Sequence, residues 1–264
     1  MTERIYFKST LINQCQAKII DRRQTDSHYH LLLDRTLFHP QGGGQPTDRG
    51  MISGTLLFKL EKEGDQIWHV IEASQFDPER HAIGKTVTLE LDSVLRAQHA
   101  ALHTTGHLID AIIQTLPIAA QLKNPNGNHF PDQAKVSYEF TAEGEFDKQV
   151  FQQMLEQSIQ QAIKAELPIH INNTMPHRHI AIGDFISVGC GGTHLPNTRY
   201  IADFTIRNLQ IKNEKRQGNT VRILTIGYRC VADPSLLALM KSEERHENTD
   251  HPALCASGSE TKIR

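Results

Sequence analysis

Two short pairs of metal-type side chains, far apart in the chain, constrain its fold more than any other feature. His103-Thr104-Thr105-Gly106-His107 and Cys190-Gly191-Gly192-Thr193-His194 each place their end residues at i, i+4. Together they offer three imidazoles and one thiolate, a full ligand set for one tetrahedral zinc ion. A chain that uses both pairs on one ion must fold so that they meet.

The first pair reads as helical. Apolar residues recur at helical spacing from Ser93 to Leu116, Asp92 or Ser93 suits the N-cap, and Pro117 ends the run. Residues four apart lie about 40° apart around a helix axis, so both imidazoles face one way. Arg96, Ala100, Asp110 and Gln114 share that stripe; Thr104 flanks it and Thr105 points away. Asp110 is thereby a candidate acceptor for a ring N–H of His107, and Arg96 a candidate phosphate contact. The pair alone suits ordinary surface or core histidines better than a metal site, and a chain with 15 has many of them. Thr104 also stands where a zincin would have its glutamate. In the second pair, Gly191 and Gly192 permit a tight turn whose backbone N–H groups can face an oxyanion. Its plain alternative is a glycine turn between strands.

The four cysteines, Cys15, Cys190, Cys230 and Cys255, show no disulfide pattern. Met1-Thr2-Glu3-Arg4 opens no secretory signal. No apolar run approaches the roughly 18 residues of a membrane span. The expectation is a cytoplasmic protein in a reducing setting, where a cysteine near histidines is a ligand or nucleophile.

Residues 1–91 read as a β-rich domain. Short runs at 17–20, 29–33, 55–60, 66–71 and 86–91, without a long helix between them, predict a small β-barrel or curled sheet. Residues 92–232 read as α+β: the helix to Leu116, a strand at 134–140, a helix at 146–165, and strands at 169–171, 185–188, 200–206 and 221–226. Residues 233–264 read as a tail, with at most a helical turn at 236–240 and disorder from His246 onward.

Two further segments carry chemistry or a plain alternative. Phe38-His39-Pro40-Gln41-Gly42-Gly43-Gly44-Gln45-Pro46 is either a loop that approaches a phosphate or ribose, or a turn at a barrel rim. Between Arg199 and Arg229, seven cations face two acids, Asp203 and Glu214, in a chain of net charge −2. Such a patch suits an RNA backbone, and it is also what a solvated hairpin looks like.

The glycine segment, the His103–His107 motif and the Cys190–His194 motif, in this order, resemble the three signatures of the alanyl-tRNA synthetase editing domain. The likeness is greatest to the free-standing AlaX-type proteins and runs from about Thr10 to Arg229. Gly106 stands where the family often has alanine. Asn126-Gly127-Asn128-His129-Phe130 lies near the place of a Gln-Lys-Gly-Ser stretch common in synthetase editing domains.

The resemblance implies an N-terminal β-barrel followed by an α+β editing domain shared with threonyl-tRNA synthetase. It implies one zinc ion held by His103, His107, Cys190 and His194, and hydrolysis of the ester in mischarged tRNA(Ala), above all seryl-tRNA(Ala). Thr104, Thr105, Gly191, Gly192 and Thr193 are then the expected substrate contacts. The expected tRNA contacts are Gly42, Gly43, Gly44, Gln45, Arg96, Arg207, Lys212, Lys215 and Arg216. A small activation pocket rejects an added hydroxyl poorly, so a second hydrolytic site has a purpose. Thr104 is better placed than Thr105 to bond the hydroxyl of serine. No general base stands out, with His129 and Asp110 as candidates. The zinc can polarise the ester, lower the pKa of water, or only position the substrate. A second reading is a non-catalytic, zinc-stabilised tRNA-binding module; a third is a hydrolase of another small ester.

Overall fold

The computed structural model describes residues 2–141, 146–174, 178–216 and 219–247. The first nine strands are β1 (Glu3–Arg4), β2 (Gln14–Gln24), β3 (His28–Leu33), β4 (Arg35–Thr36), β5 (Gly50–Ile52), β6 (Thr55–Leu56), β7 (Lys59–Glu63), β8 (Gln66–Glu72) and β9 (Thr86–Leu91). β1 and β4 pair in parallel. The other seven form one sheet in the order β6-β5-β9-β2-β3-β8-β7.

Among the described residues these ladders do not close into the expected barrel; the sheet curls instead. Its two edge strands are consecutive in the chain. Leu57 N–H donates to the Gly50 carbonyl at 3.0 Å on one side, and Phe58 N–H to the Val70 carbonyl at 2.8 Å on the other. One continuous stretch therefore serves both edges. The sheet wraps a cluster that includes Ile19, Leu31, Leu33, Phe38, Val87 and Leu89. Full burial of each such side chain contributes about 1.5–3 kcal/mol.

The second half is built around α1 (Ser93–Ile113), followed by β10 (Leu122–Asn128), β11 (Lys135–Phe140), α2 (Lys148–Lys164), β12 (Ile169–Asn172), β13 (His179–Ile182), β14 (Val188–Gly189), β15 (Ile201–Arg216), β16 (Asn219–Ala232) and α3 (Ser235–Glu247). β10-β11-β16-β15 form one sheet and β12-β13-β14 a second. The alternation in β11 shows why it is a strand: Val136, Tyr138 and Phe140 are buried while Lys135 is exposed. The Asp92 carboxylate caps α1 by accepting from Leu95 N–H at 3.0 Å. Ala97, Ala100, Ala101, Leu108, Ile109 and Ile112 bury the helix nearly all round. Asp147 caps α2, which buries the single stripe Phe151, Leu155, Ile159 and Ala162. α1 packs on β16 and β11, and α2 on α1 and β15. No described helix is long and apolar enough to cross a membrane.

Three expectations need correction. The run 185–188 is a strand only from Val188; the strand before it is β13, because Gly183, at φ +50°, turns the chain first. β10 was not expected, since Pro125 and Gly127 mask it, and both sit in an edge strand. The tail starts as a helix, with Leu236 and Met240 fully buried in the main cluster. The disorder expected beyond Glu247 lies outside the described residues.

Candidate metal centre

His103 and His107 sit one turn apart on α1, and their rings lie 5.0 Å apart and near parallel, at 11°. Cys190 and His194 come from the loop that follows β14. The four side chains converge, each offering one ligand atom within 4.8 Å of the others. Cys190 Sγ lies 3.4 Å from His103 Nε2 and 3.2 Å from His194 Nε2.

Two of the three imidazoles have a hydrogen-bond partner that sets the nitrogen they present. Gln45 Oε1 accepts from His103 Nδ1 at 2.7 Å and from Thr193 N–H at 3.0 Å. The same amide donates through Nε2 to Thr193 Oγ1 at 2.9 Å, which fixes its orientation. His103 is thereby held as the Nδ1–H tautomer, with Nε2 free to ligate. Thr104 Oγ1 accepts from Leu195 N–H at 3.0 Å and lies 3.4 Å from His194 Nδ1. Thr10 Oγ1 accepts from His194 N–H at 3.1 Å. His107 Nε2 is buried with no partner among the described residues.

Burial holds the imidazoles neutral, which is the ligating form. It lowers His107 to about 4, and holds His103 and His194 well below the usual histidine range, with the neighbouring histidines adding to the effect. Burial raises the Cys190 thiol, opposed by the Gly192 N–H and by the charge of Arg178. Arg178 Nη1 also donates to the Cys190 carbonyl at 2.7 Å. Three neutral imidazoles, a thiol beside a guanidinium and one orphaned ring nitrogen suit a zinc ion.

The two glycines after Cys190 differ. A Cβ at Gly192 would strike the His103 ring and approach Gln45 Oε1 to 2.8 Å, whereas one at Gly191 would meet nothing. Neither has a positive φ, so close approach, not turn geometry, demands glycine at 192. Gly191 borders open space.

Several residues expected to contact substrate or tRNA are engaged within the protein. Thr104 and Thr193 are fully buried and occupied, holding His194 and Gln45. Thr105 turns away, with its Oγ1 3.2 Å from Cys230 Sγ. Arg96 is not a phosphate contact: it is completely buried, ion-paired with Asp48 and donating to the Leu37 carbonyl at 2.7 Å. Burial pushes the Asp48 carboxyl up, but the Arg96 charge and its hydrogen bonds, with the His99 ring 3.9 Å away, outweigh it and hold it well below the usual range. Arg207 spends its guanidinium on the carbonyls of Tyr228, Asp132 and Ala134. Asp110 does not reach His107; it accepts from the Tyr138 hydroxyl at 3.1 Å.

The glycine loop is a two-residue turn. Gly42 and Gln45 exchange backbone bonds at 3.1 and 3.0 Å, around Gly43 at φ +57° and Gly44 at φ +76°. Positive φ at both central residues favours glycine. The turn delivers Gln45 into the centre and leaves Gly42 and Gly43 exposed. Lys212 and Lys215 are exposed on β15, whose last residue is Arg216.

His129 packs behind the centre, its ring 4.4 Å from that of His103. Its Nδ1 lies 2.7 Å from the Tyr228 hydroxyl, which itself donates to the Leu102 carbonyl at 2.9 Å. His129 therefore donates to Tyr228, and burial lowers it to about 3. A Cβ at Gly106 would strike this ring, so glycine there admits His129. The sequence offered no signal for Thr10, Arg178 or Tyr228, which act across long separations. Beside His107 opens a cleft of about 370 Å³, walled by Ile180, Ile182, Phe185 and Val188.

Residues 178–223 match the family model described as the threonyl and alanyl tRNA synthetase second additional domain. The chain is 30% identical over 257 residues to the alanyl-tRNA editing protein AlaX-L of Pyrococcus horikoshii, covering 88% of this chain and 60% of that protein. It is 24% identical over 202 residues to AlaX-M of the same organism, covering 76% and 88%. It is 26% identical over 248 residues to AlaX-M of Methanosarcina barkeri, covering 82% and 97%. The chain thus spans about 60% of the length of the AlaX-L protein and most of the AlaX-M proteins. On these matches, the chain is similar to the AlaX-type alanyl-tRNA editing proteins.

Proposed function

We propose that this protein is a zinc-dependent aminoacyl-tRNA deacylase that hydrolyses the ester of mischarged tRNA(Ala), above all seryl-tRNA(Ala). The observation that carries the reading is the convergence of His103, His107, Cys190 and His194 within 4.8 Å in a chain similar to proteins named for alanyl-tRNA editing. These four residues hold one zinc ion, which when bound supplies a Lewis acid for the ester carbonyl.

The chain's own residues supply position and access. Gln45 and Thr104 hold His103 and His194 in their ligating tautomers. Arg178 stabilises negative charge on Cys190. The acylated end enters over Gly191, where no side chain intervenes. His129, bonded through Nδ1 and lowered to about 3, is a packing element and not a base. The exposed glycine turn and the cations Lys212, Lys215 and Arg216 are the proposed tRNA contacts. Separate hydrophobic clusters support a division into domains at 1–91 and 92–232. The joined edges at Leu57 and Phe58 support a barrel-like first domain. Action on tRNA(Ala) in the cytoplasm completes the reading.

The test is deacylation of seryl-, glycyl- and alanyl-tRNA(Ala) by purified protein. Rapid loss of serine with alanine spared supports the proposal. Salt-sensitive tRNA binding without turnover moves the protein to a binding module.

A further inference from the structure

A zinc site filled by four protein ligands is closed, whereas a catalytic one keeps a position open. We propose that His107 is the displaceable ligand of this centre: its ring leaves when substrate arrives, while His103, Cys190 and His194 stay. This inference rests on the deacylase reading.

The four ligands are unequally held. Gln45 Oε1 fixes His103 through Nδ1 at 2.7 Å, and the amide is itself locked by Thr193. The Nδ1 of His194 faces Thr104 Oγ1 at 3.4 Å, and its backbone N–H is tied to Thr10 at 3.1 Å. Cys190 Sγ accepts from Gly192 N–H at 3.3 Å. Arg178 also clasps the Cys190 main chain, donating to its carbonyl at 2.7 Å and accepting from its N–H at 3.0 Å. Of the three imidazoles, His107 is the one without a hydrogen-bond partner among the described residues. Such partners fix the orientation of a ligating ring, so the ring that lacks one turns away most readily.

Exposure runs the same way. His103 and His194 are each 1% exposed, whereas His107 and Cys190 are half-buried. Of the four, only His107 lines the cleft of about 370 Å³. A molecule that enters through the cleft meets this ring first, and the ring has space to turn into. Release breaks one coordinate bond. The electron pair stays on the ring nitrogen, no proton moves, and the vacated position is left to the ester.

The experiment uses the full chain loaded with zinc. Competition with a chromophoric chelator ranks zinc affinity in His103→Ala, His107→Ala and His194→Ala. His103→Ala forfeits the orienting bond from Gln45 as well as a ligand, so it should bind zinc about 10–100-fold more weakly than His107→Ala. In wild-type protein with isotope-labelled histidine, the ring-nitrogen resonances are followed as the non-hydrolysable 3′-serylamide of 3′-amino-3′-deoxyadenosine is added. One ring should move from the ligated to the free position, and its signal should be the one missing from His107→Ala. Three rings that stay ligated throughout the titration overturn the proposal. So does departure of His103 or His194, or zinc affinity in His107→Ala no higher than in His103→Ala. Deacylation of seryl-tRNA(Ala) is measured in parallel. Hydrolysis by wild type with any of these contrary results sinks the displaceable ligand and leaves the deacylase standing. The predicted resonance and affinity pattern without hydrolysis supports a labile His107 and sinks the deacylase.

Discussion

Gln45 Oε1 lies 2.7 Å from His103 Nδ1, so the glycine turn of the N-terminal half sets the tautomer of a ligand on α1. Removing such an orienting group from a ligating histidine typically costs 10–100-fold in metal affinity. Gln45→Ala should therefore weaken zinc by roughly that factor, read by competition with a chromophoric chelator. Gln45→Glu keeps the acceptor and should retain most of the affinity. Equal affinity in the alanine variant and the wild type would remove the amide from the centre.

Gly192 is the tightest steric point of the loop. Gly192→Ala places a methyl group against the His103 ring and Gln45, so zinc content and deacylation should fall together, with circular dichroism unchanged. Gly191→Ala meets no atom within 4 Å and should bind zinc normally. Equal zinc in both variants contradicts the geometry.

The buried Arg96–Asp48 pair ties the glycine loop to α1. Breaking a buried pair by removing one partner costs about 3–5 kcal/mol. Asp48→Ala should lower the melting temperature by roughly 10 °C, without changing the salt dependence of tRNA binding. A reduced salt slope with unchanged stability would restore Arg96 as a phosphate contact.

Lys215→Ala, by contrast, should leave stability unchanged and reduce the salt slope of tRNA binding by about 1. Arg207→Ala should do the reverse, since it frees three backbone carbonyls. A binding isotherm at several salt concentrations separates the two variants.

Acid should destabilise the metal-free protein steeply. Burial lowers His39, His69 and His107 to about 4 and His129 to about 3. Between those values and the ordinary 6.5, the unfolded chain binds more protons than the folded one, so stability rises with pH across this window. It is complete above pH about 6.5 and lost as pH falls toward 4. At least two protons should be linked to unfolding, about 3 kcal/mol per pH unit. Urea unfolding of chelator-treated protein between pH 5 and 7 measures the slope, and a flat profile contradicts neutral buried imidazoles.

The chain announces its ligands more clearly than what holds them. Spacing alone places His103 and His107 on one helical face, because the helix period is local. The same local logic finds β11 and α2, whose alternation and stripe are regular. Gln45, Thr10 and Arg178 reach the centre across separations that no periodicity encodes. Thr104, which spacing places beside the ligands, is diverted by the Leu195 N–H to a structural role. Arg96 reads as an exposed cation until Asp48 is seen folded against it. β10 is hidden by Pro125 and Gly127, and α3 shows in the sequence only as the turn at Leu236–Met240 because the residues after it are polar.

The most direct test measures zinc content and seryl-tRNA(Ala) hydrolysis on the same samples of wild-type, Cys190→Ala and His103→Ala protein. The account predicts about one zinc per chain and rapid hydrolysis in wild type, with both lost together in each variant. Full hydrolysis by either variant after loss of zinc would contradict it.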